Sequence, residues 1–600
     1  MTAIGISPSA GPFATLPRVW RFIGSRIWQV EHAFERAKAE GRPADDVRIR
    51  MAFILAMFAA GFLALTYGAV RTAVFPDRTP VGRIAPLTPG SRADLVDRNG
   101  QLLALDLPYY NLYLDRSLIW DVEETETVLG PMLPPSARAR MKKALTGERR
   151  MKIMGPLSPD QRRAIDNLGL PGVSFETEAR RSYPLGDTAP HLIGFAGAGG
   201  VGLSGAELAL DDRIHGQAGR EPVILALDLR VQAALEDELR KTAAMYSSAG
   251  AVGIVTNVRT GEVLAMASWP DAAPNQMDAS PAAKTNRAAN SVFEMGSIMK
   301  VFSVAIGLDS GTATLSTIFD ATTPVVLPGQ VIRDYHAKNT HMTLAEVFLN
   351  SSNIGTSRLA LRFGGPTMSK YFKTFGLMDA APIELKETAK PLAGGKWSSN
   401  TVASRSFGHA IAVSPLQVAA GMGAILNGGT YVPLTILKRD APPTNGRRVV
   451  SEDTSRQMLD LMRLNAVEGT GKSAEAGAQG LRSGGKTGTA EKPMAGGIAR
   501  EKLVSSYAAV FPTDGPVTAD RYYVLMLFDE PKSLGGRPTG GIVAAPAVGR
   551  VINRIAPFVK VERRLTTTAA VTPAGKAAPT LPEAAATEGT ATEPSGVVEQ

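Results

Sequence analysis

Three short runs in the second half of the sequence carry side chains suited to acyl transfer: Ser297-Ile-Met-Lys300, Ser351-Ser352-Asn353 and Lys486-Thr487-Gly488. They supply a hydroxyl nucleophile, groups that can move its proton, and a cation that can hold an anionic substrate. That is the equipment of a serine-ester mechanism that needs neither histidine nor metal. Each run is weak alone, because a second S-x-x-K stands at Ser483-Gly-Gly-Lys486 and a second S-x-N at Ser398-Ser399-Asn400.

Context separates the copies. Ser297 and Lys300 open a proline-free run to Leu308 that is apolar on nearly every side, the pattern of a buried helix. Residues three apart share a helix face, which sets Lys300 beside the Ser297 hydroxyl. Burial disfavours the ammonium, so the Lys300 amine can accept the serine proton. Gly296 lets a substrate approach the backbone, and the unpaired N–H groups of the helix start can face an oxyanion. The bland alternative is an N-cap serine with a snorkelling lysine. Ser483 precedes two glycines, which disfavour the helix that would align it with a lysine.

Ser351-Ser-Asn353 falls between the apolar stretches Leu344 to Leu349 and Ile354 to Leu361, a tight connection between buried helices and a rigid mount for a site. Ser351 can relay a proton there, and Asn353 can bond a substrate amide. Ser398-Ser-Asn400, near Gly394, Gly395 and Trp397, reads as an exposed loop. Lys486 to Thr489 follows Gly484-Gly485 and reads as the start of a strand. Alternation sets Lys486 and Gly488 on one face and Thr487 and Thr489 on the other. Gly488 admits a ligand against the backbone, and a strand edge can pair with an extended peptide.

The three motifs in this order resemble the signature of penicillin-binding proteins and related β-lactamases. From about 90 to 555 the chain resembles class B penicillin-binding proteins, most closely their division-specific branch, the FtsI family of septal peptidoglycan D,D-transpeptidases. Arg92 to Gly100, Arg180 to Tyr183, His191 to Phe195 and Gly202 to Leu208 look like landmarks of that family's N-terminal module. Phe293 to Lys300, Ser351 to Gly355, Pro415 to Gln417, Asn427 to Gly429 and Asp529 to Lys532 extend the likeness through the catalytic part. Met295 departs from it, standing where many relatives carry proline.

The resemblance implies that Ser297, deprotonated by Lys300, attacks the penultimate D-alanine of a stem peptide. Ser351, Asn353 and Lys486 complete the catalytic set, while Thr487, Gly488 and Thr489 bind the substrate. Backbone N–H groups of Ser297 and Thr489 are implied for the oxyanion. No cofactor is implied, β-lactams are expected as inhibitors, and a septal glycosyltransferase with other divisome membrane proteins are the expected partners. An elongation-type transpeptidase, a D,D-carboxypeptidase, a β-lactamase using Glu384, and a chiefly scaffolding protein remain as alternatives.

Composition agrees. The 600 residues, 44% hydrophobic and 20% charged, suit a globular protein of several domains. A net charge of +9 spread along the chain reads as solvated surface, not a nucleic-acid patch. No cysteine is present, which excludes disulfides and thiol chemistry, and the six scattered histidines do not suggest a metal site. Glu468-Gly-Thr-Gly-Lys-Ser473 looks like the end of a phosphate loop, but Ala466 stands where the first glycine is required.

Met51 to Val70 carries no charge and is long enough to span a bilayer. Arg36, Lys38, Arg42, Arg48 and Arg50 precede it, against Arg71, Arg78 and Arg83 after it. This bias sets the N-terminus in the cytoplasm and the catalytic part in the periplasm, anchored to the inner membrane. The expected order is a cytoplasmic segment at 1–50, the anchor at 51–70, a linker at 71–90, a mixed α/β pedestal at 91–235, a transpeptidase domain at 236–560 and a disordered tail at 561–600. The fold class is α+β, with an antiparallel sheet and central helices in the catalytic domain.

Overall fold

The computed structural model describes the chain from 92 to 564 except residues 198, 217–220, 275, 277, 495 and 496, together with some helical residues between 29 and 67. It separates into two units, residues 1–85 and 86–600. In the first, Gln29, His32, Arg36, Ala39 and most of 51–67 are helical and exposed. Among the described residues no helix is long and apolar enough to cross a membrane. The expected anchor at 51–70 is only partly described. Most of the cytoplasmic segment, the linker at 71–90 and the tail from 565 lie outside the described residues.

The second unit opens with a five-stranded sheet. Strands β1 (Leu95–Val96), β2 (Leu102–Leu114), β3 (Met151–Leu157), β4 (Val173–Ser182) and β5 (Val223–Ile224) build it. β2 pairs antiparallel with β1, β3 and β4, and β5 joins β1 in parallel. Three of the landmarks read from the sequence meet in a buried ionic cluster beside it. Arg92 pairs with Glu207 at 2.5 Å and Asp211 at 2.7 Å, and Arg181 pairs with Glu207 at 2.6 Å and Asp106 at 3.2 Å. Buried charge is tolerated only when paired in this way, which accounts for acids and arginines so far apart in sequence.

Helix α1 (Leu229–Met245) leads into a second five-stranded sheet. Its strands are β6 (Gly250–Asn257), β7 (Val263–Trp269), β8 (Gly484–Met494), β9 (Gly497–Phe511) and β10 (Tyr522–Asp529). The order is β8-β9-β10-β6-β7, antiparallel throughout, so the hairpin that opens the domain pairs with strands contributed by its end. β6 is buried at every position, as a strand covered on both faces must be. On one face Val231, Leu235 and Leu239 of α1 pack with Val548, Val551 and Ile552 of the last helix, Ala544–Ile555. A pedestal boundary at 235 would cut through α1.

The other face carries α2 (Met299–Asp309), α3 (Leu344–Leu349), α4 (Asn353–Thr374), α5 (Pro415–Leu426) and α6 (Glu452–Val467). α2 is buried from Met299 to Gly307, matching its unbroken apolar sequence. Phe302 meets Phe375 edge-on, with ring centroids 5.4 Å apart. α2 is therefore fixed on every side, a stiff base for whatever its first turn carries.

Candidate active site

The site lies where the start of α2, the α3–α4 corner and the edge strand β8 meet. Ser297 sits in a 3-10 turn, Gly296–Ile298, that runs into α2. Gly296 has φ 53°, and a Cβ there would fall 2.6 Å from the carbonyl oxygen of Thr489. Only glycine lets the nucleophile turn lie so close to the strand. Gly488 is constrained alike, since a Cβ would come within 2.7 Å of the Met295 carbonyl oxygen. The backbones of Ser297 and Thr489 are thus neighbours.

The α3–α4 corner is built by caps. Thr343 and Glu346 form a capping box at the start of α3, and the Ser352 hydroxyl accepts from the Gly355 N–H at 2.9 Å to open α4. Asp334 accepts from the Ser352 hydroxyl at 2.7 Å and from the Ile354 N–H at 2.9 Å. A carboxylate at a helix N-terminus is favourably placed. Between the helices Ser351 holds φ 55°, a left-handed conformation uncommon outside glycine, and this turns its hydroxyl toward two lysines.

Lys300 donates to the Ser351 carbonyl oxygen and, at 3.1 Å, to its Oγ. Lys486 donates to the same Oγ at 3.0 Å and to the Thr487 carbonyl oxygen at 3.3 Å. Both amines are fully buried. Burial and the charge of Lys486 hold Lys300 well below the ordinary lysine range, against a smaller opposing pull from Asp334. Burial alone brings Lys486 down to about 7. Two such cations cannot both stay charged around one hydroxyl, so one amine is available as a base.

A cavity of about 670 Å³ opens above them, lined by Ser297, Ser351, Asn353, Thr487 and Thr489 among others. Thr487 Oγ1 donates to Thr470 Oγ1 at 3.0 Å, and Thr489 Oγ1 accepts from the Gly540 N–H at 3.0 Å. Asn353 donates its amide to the Arg333 carbonyl oxygen at 3.2 Å, which leaves its own oxygen for another donor. β8 pairs with β9 on one side only, so its outer edge is open to a peptide among the described residues.

A family model described as the penicillin binding protein transpeptidase domain matches residues 251–553, and one for the penicillin-binding protein dimerisation domain matches 87–239. The probable peptidoglycan D,D-transpeptidase FtsI of Caulobacter vibrioides is 52% identical over 92% of this chain and 96% of its own. This chain is a class B penicillin-binding protein. The peptidoglycan D,D-transpeptidase FtsI of Escherichia coli K12 is 30% identical over 80% of the chain and 85% of its own. The fold is shared with a peptidoglycan synthetase from Bifidobacterium adolescentis, at 22% identity and a TM-score of 0.63 over 80% of this chain and 97% of that one. Penicillin binding protein 3 from Mycobacterium tuberculosis, complexed with aztreonam, has the same fold at 22% identity and TM-score 0.61, over 80% of this chain and 98% of its own.

In this class B chain the structure gathers Ser297, Lys300, Ser351, Asn353, Lys486, Thr487 and Thr489, with Gly488 packed behind the nucleophile turn. The competing motif copies fall elsewhere. Ser483 is bonded to Glu475 at 2.8 Å. Ser398-Ser-Asn400 is not an open loop but the start of a helix, Ser399–Ser406, with Ser398 as its cap. Glu384 accepts from Thr435 Oγ1 at 2.6 Å and the Ile436 N–H at 2.9 Å and does not line the cavity. Two contributors have little sequence signal. Thr470 belongs to the run that fails as a phosphate loop, and Asp334 stands in no motif; tertiary packing alone brings them in.

Proposed function

We propose that this protein is a septal peptidoglycan D,D-transpeptidase that cross-links stem peptides through an ester on Ser297. The observation that carries this reading is the Ser351 hydroxyl held between two buried amines beside the nucleophile turn. The neutral Lys300 amine takes the Ser297 proton as Oγ bonds to the carbonyl carbon of the penultimate D-alanine. The pair of the C=O π bond moves onto the carbonyl oxygen, whose negative charge faces the N–H groups of Ser297 and Thr489. The C–N bond to the terminal D-alanine then breaks, and its nitrogen receives a proton through Ser351, replenished by the lysines. An amine of a neighbouring stem attacks the ester, and its proton returns to Ser297 by the same route. Thr487 and Thr489 hold the terminal carboxylate, and the Asn353 oxygen accepts from a peptide N–H.

The charge-free run at 51–70 and the arginine bias around it support a single anchor with the catalytic part in the periplasm. We divide the rest into a pedestal that ends before α1 and a transpeptidase domain that runs from α1 to about 560. A septal glycosyltransferase and other divisome membrane proteins are the proposed partners. Glu384, the carboxylate asked to activate a hydrolytic water, is engaged by Thr435 and Ile436 and does not line the cavity, so the penicilloyl ester should persist. A fluorescent penicillin tests this directly. Wild-type protein should carry one label for many minutes and Ser297→Ala none. Labelling of another serine by mass spectrometry, or rapid turnover of a cephalosporin, would overturn the reading.

A further inference from the structure

Thr487, Thr489 and Glu491 occupy alternate positions of β8 and line the same cavity as Ser297, as the two-residue period of a strand requires. The first two have work in the mechanism above; Glu491 has none. Its carboxylate lies 2.5 Å from the guanidinium of Arg537, which comes from the segment after β10. Arg537 in turn lies over the ring of Tyr335, 5.0 Å from its centroid, and both residues line the cavity. The segment is pinned by Ser505, which donates to the Pro538 carbonyl oxygen, and by the Gly540–Thr489 bond. The pair is a fixed part of the cavity wall.

The pair is also chemically unfinished. The side chains are 34% and 29% exposed, and the one contact between them uses one Arg537 nitrogen and one Glu491 oxygen. A guanidinium carries five N–H donors and a carboxylate has about four acceptor positions. Donors and acceptors thus remain for a ligand that presents charge of both signs. Asp334 and Arg333 line the cavity too, but Asp334 is engaged at the start of α4.

The placement of the donor peptide, which rests on the transpeptidase reading, says what that ligand is. With the terminal carboxylate at Thr487 and Thr489 and the scissile carbonyl at Ser297, an extended donor runs back along the β8 edge toward Glu491. Two residues of strand cover about 7 Å, which brings the residue before the two D-alanines level with Glu491 and Arg537. We propose that Glu491 and Arg537 form the subsite for this third donor residue and select a side chain that ends in both an ammonium and a carboxylate. The ammonium meets Glu491 and the carboxylate meets Arg537, in charge-assisted bonds.

Penicillins test this, because their acyl side chain takes the place of the same donor residue. Acylation rates of the full-length protein would be measured with penicillins whose side chains end in an amino acid, an ammonium alone or a carboxylate alone. Each rate is divided by that of benzylpenicillin for the same protein. Wild type should prefer the amino-acid-ended compound over either singly charged one by about tenfold. Glu491→Gln should erase its advantage over the carboxylate-ended compound and keep the other, and Arg537→Gln should do the reverse. General damage would not sort by charge in this way. Equal rates in wild type, or a preference that survives both substitutions, would overturn the subsite. Failure of benzylpenicillin to acylate wild type at Ser297 would instead overturn the transpeptidase reading itself.

Discussion

Ser351 is the side chain on which the two lysines converge, so its loss should cost more than one hydrogen bond. Ser351→Ala is expected to slow penicillin acylation by about a hundredfold or more, in the range of a lost general acid–base relay. Ser398→Ala, at a helix cap outside the cavity, should acylate at the wild-type rate; the opposite pattern would mean that the wrong S-x-N had been chosen. Lys486 makes a second test, read in stability. Its amine titrates at about 7 when folded, against an ordinary 10.5. Below about pH 7 both states are charged and the burial cost is fully present; between 7 and 10.5 the unfolded state binds more protons, so stability rises with pH. Lys486→Met should therefore raise the melting temperature most near pH 6 and least near pH 10, while impairing acylation. A gain independent of pH would show that Lys486 is not a buried, suppressed cation.

Among the elements, the α3–α4 corner decides the site, because it must hold Ser351 in a left-handed conformation. Asp334 does this from outside the motifs by binding the cap hydroxyl of Ser352 and the N–H of Ile354. Asp334→Asn keeps the shape but removes the charge and one acceptor. A loss of about 1 kcal/mol in stability is expected, the worth of a helix N-cap interaction, with slower acylation as Ser351 loses its constraint. Thermal unfolding and a penicillin rate measurement check both parts, and an unchanged rate would mean that the corner holds itself. The corner was legible in outline, since two apolar-periodic stretches flank Ser351-Ser-Asn353. The helix at Ser399–Ser406 was not, because glycines and a tryptophan nearby mask a cap that depends on one serine.

For the molecule as a whole, the described body closes at its C-terminal side with the helix Ala544–Ile555 against α1 and β10. The sequence beyond Arg564 turns to Thr, Ala, Pro and Glu without apolar periodicity, a composition that cannot bury a core. Removal of residues after 564 should leave the melting temperature and the penicillin acylation rate unchanged. A fall in either, measured on the purified protein, would show that the tail packs on the body.

The sequence by itself determined the chemistry and the elements that carry it: hydroxyl, amines and threonines in a set order, a buried helix behind the nucleophile, two apolar stretches flanking Ser351, a Gly-led strand. These follow from local rules, in which periodicity and turn residues act over a few positions. Tertiary structure alone decided that Lys300 and Lys486 share one hydroxyl, and that Thr470, Asp334, Glu491 and Arg537 reach the cavity. The physical reason is separation along the chain. Ser297, Ser351 and Lys486 lie on the turn that leads into α2, the α3–α4 corner and an edge strand, and β8 reaches the opening hairpin only through β9 and β10. Contacts across such distances are set by packing and sheet order, which no short window of sequence records.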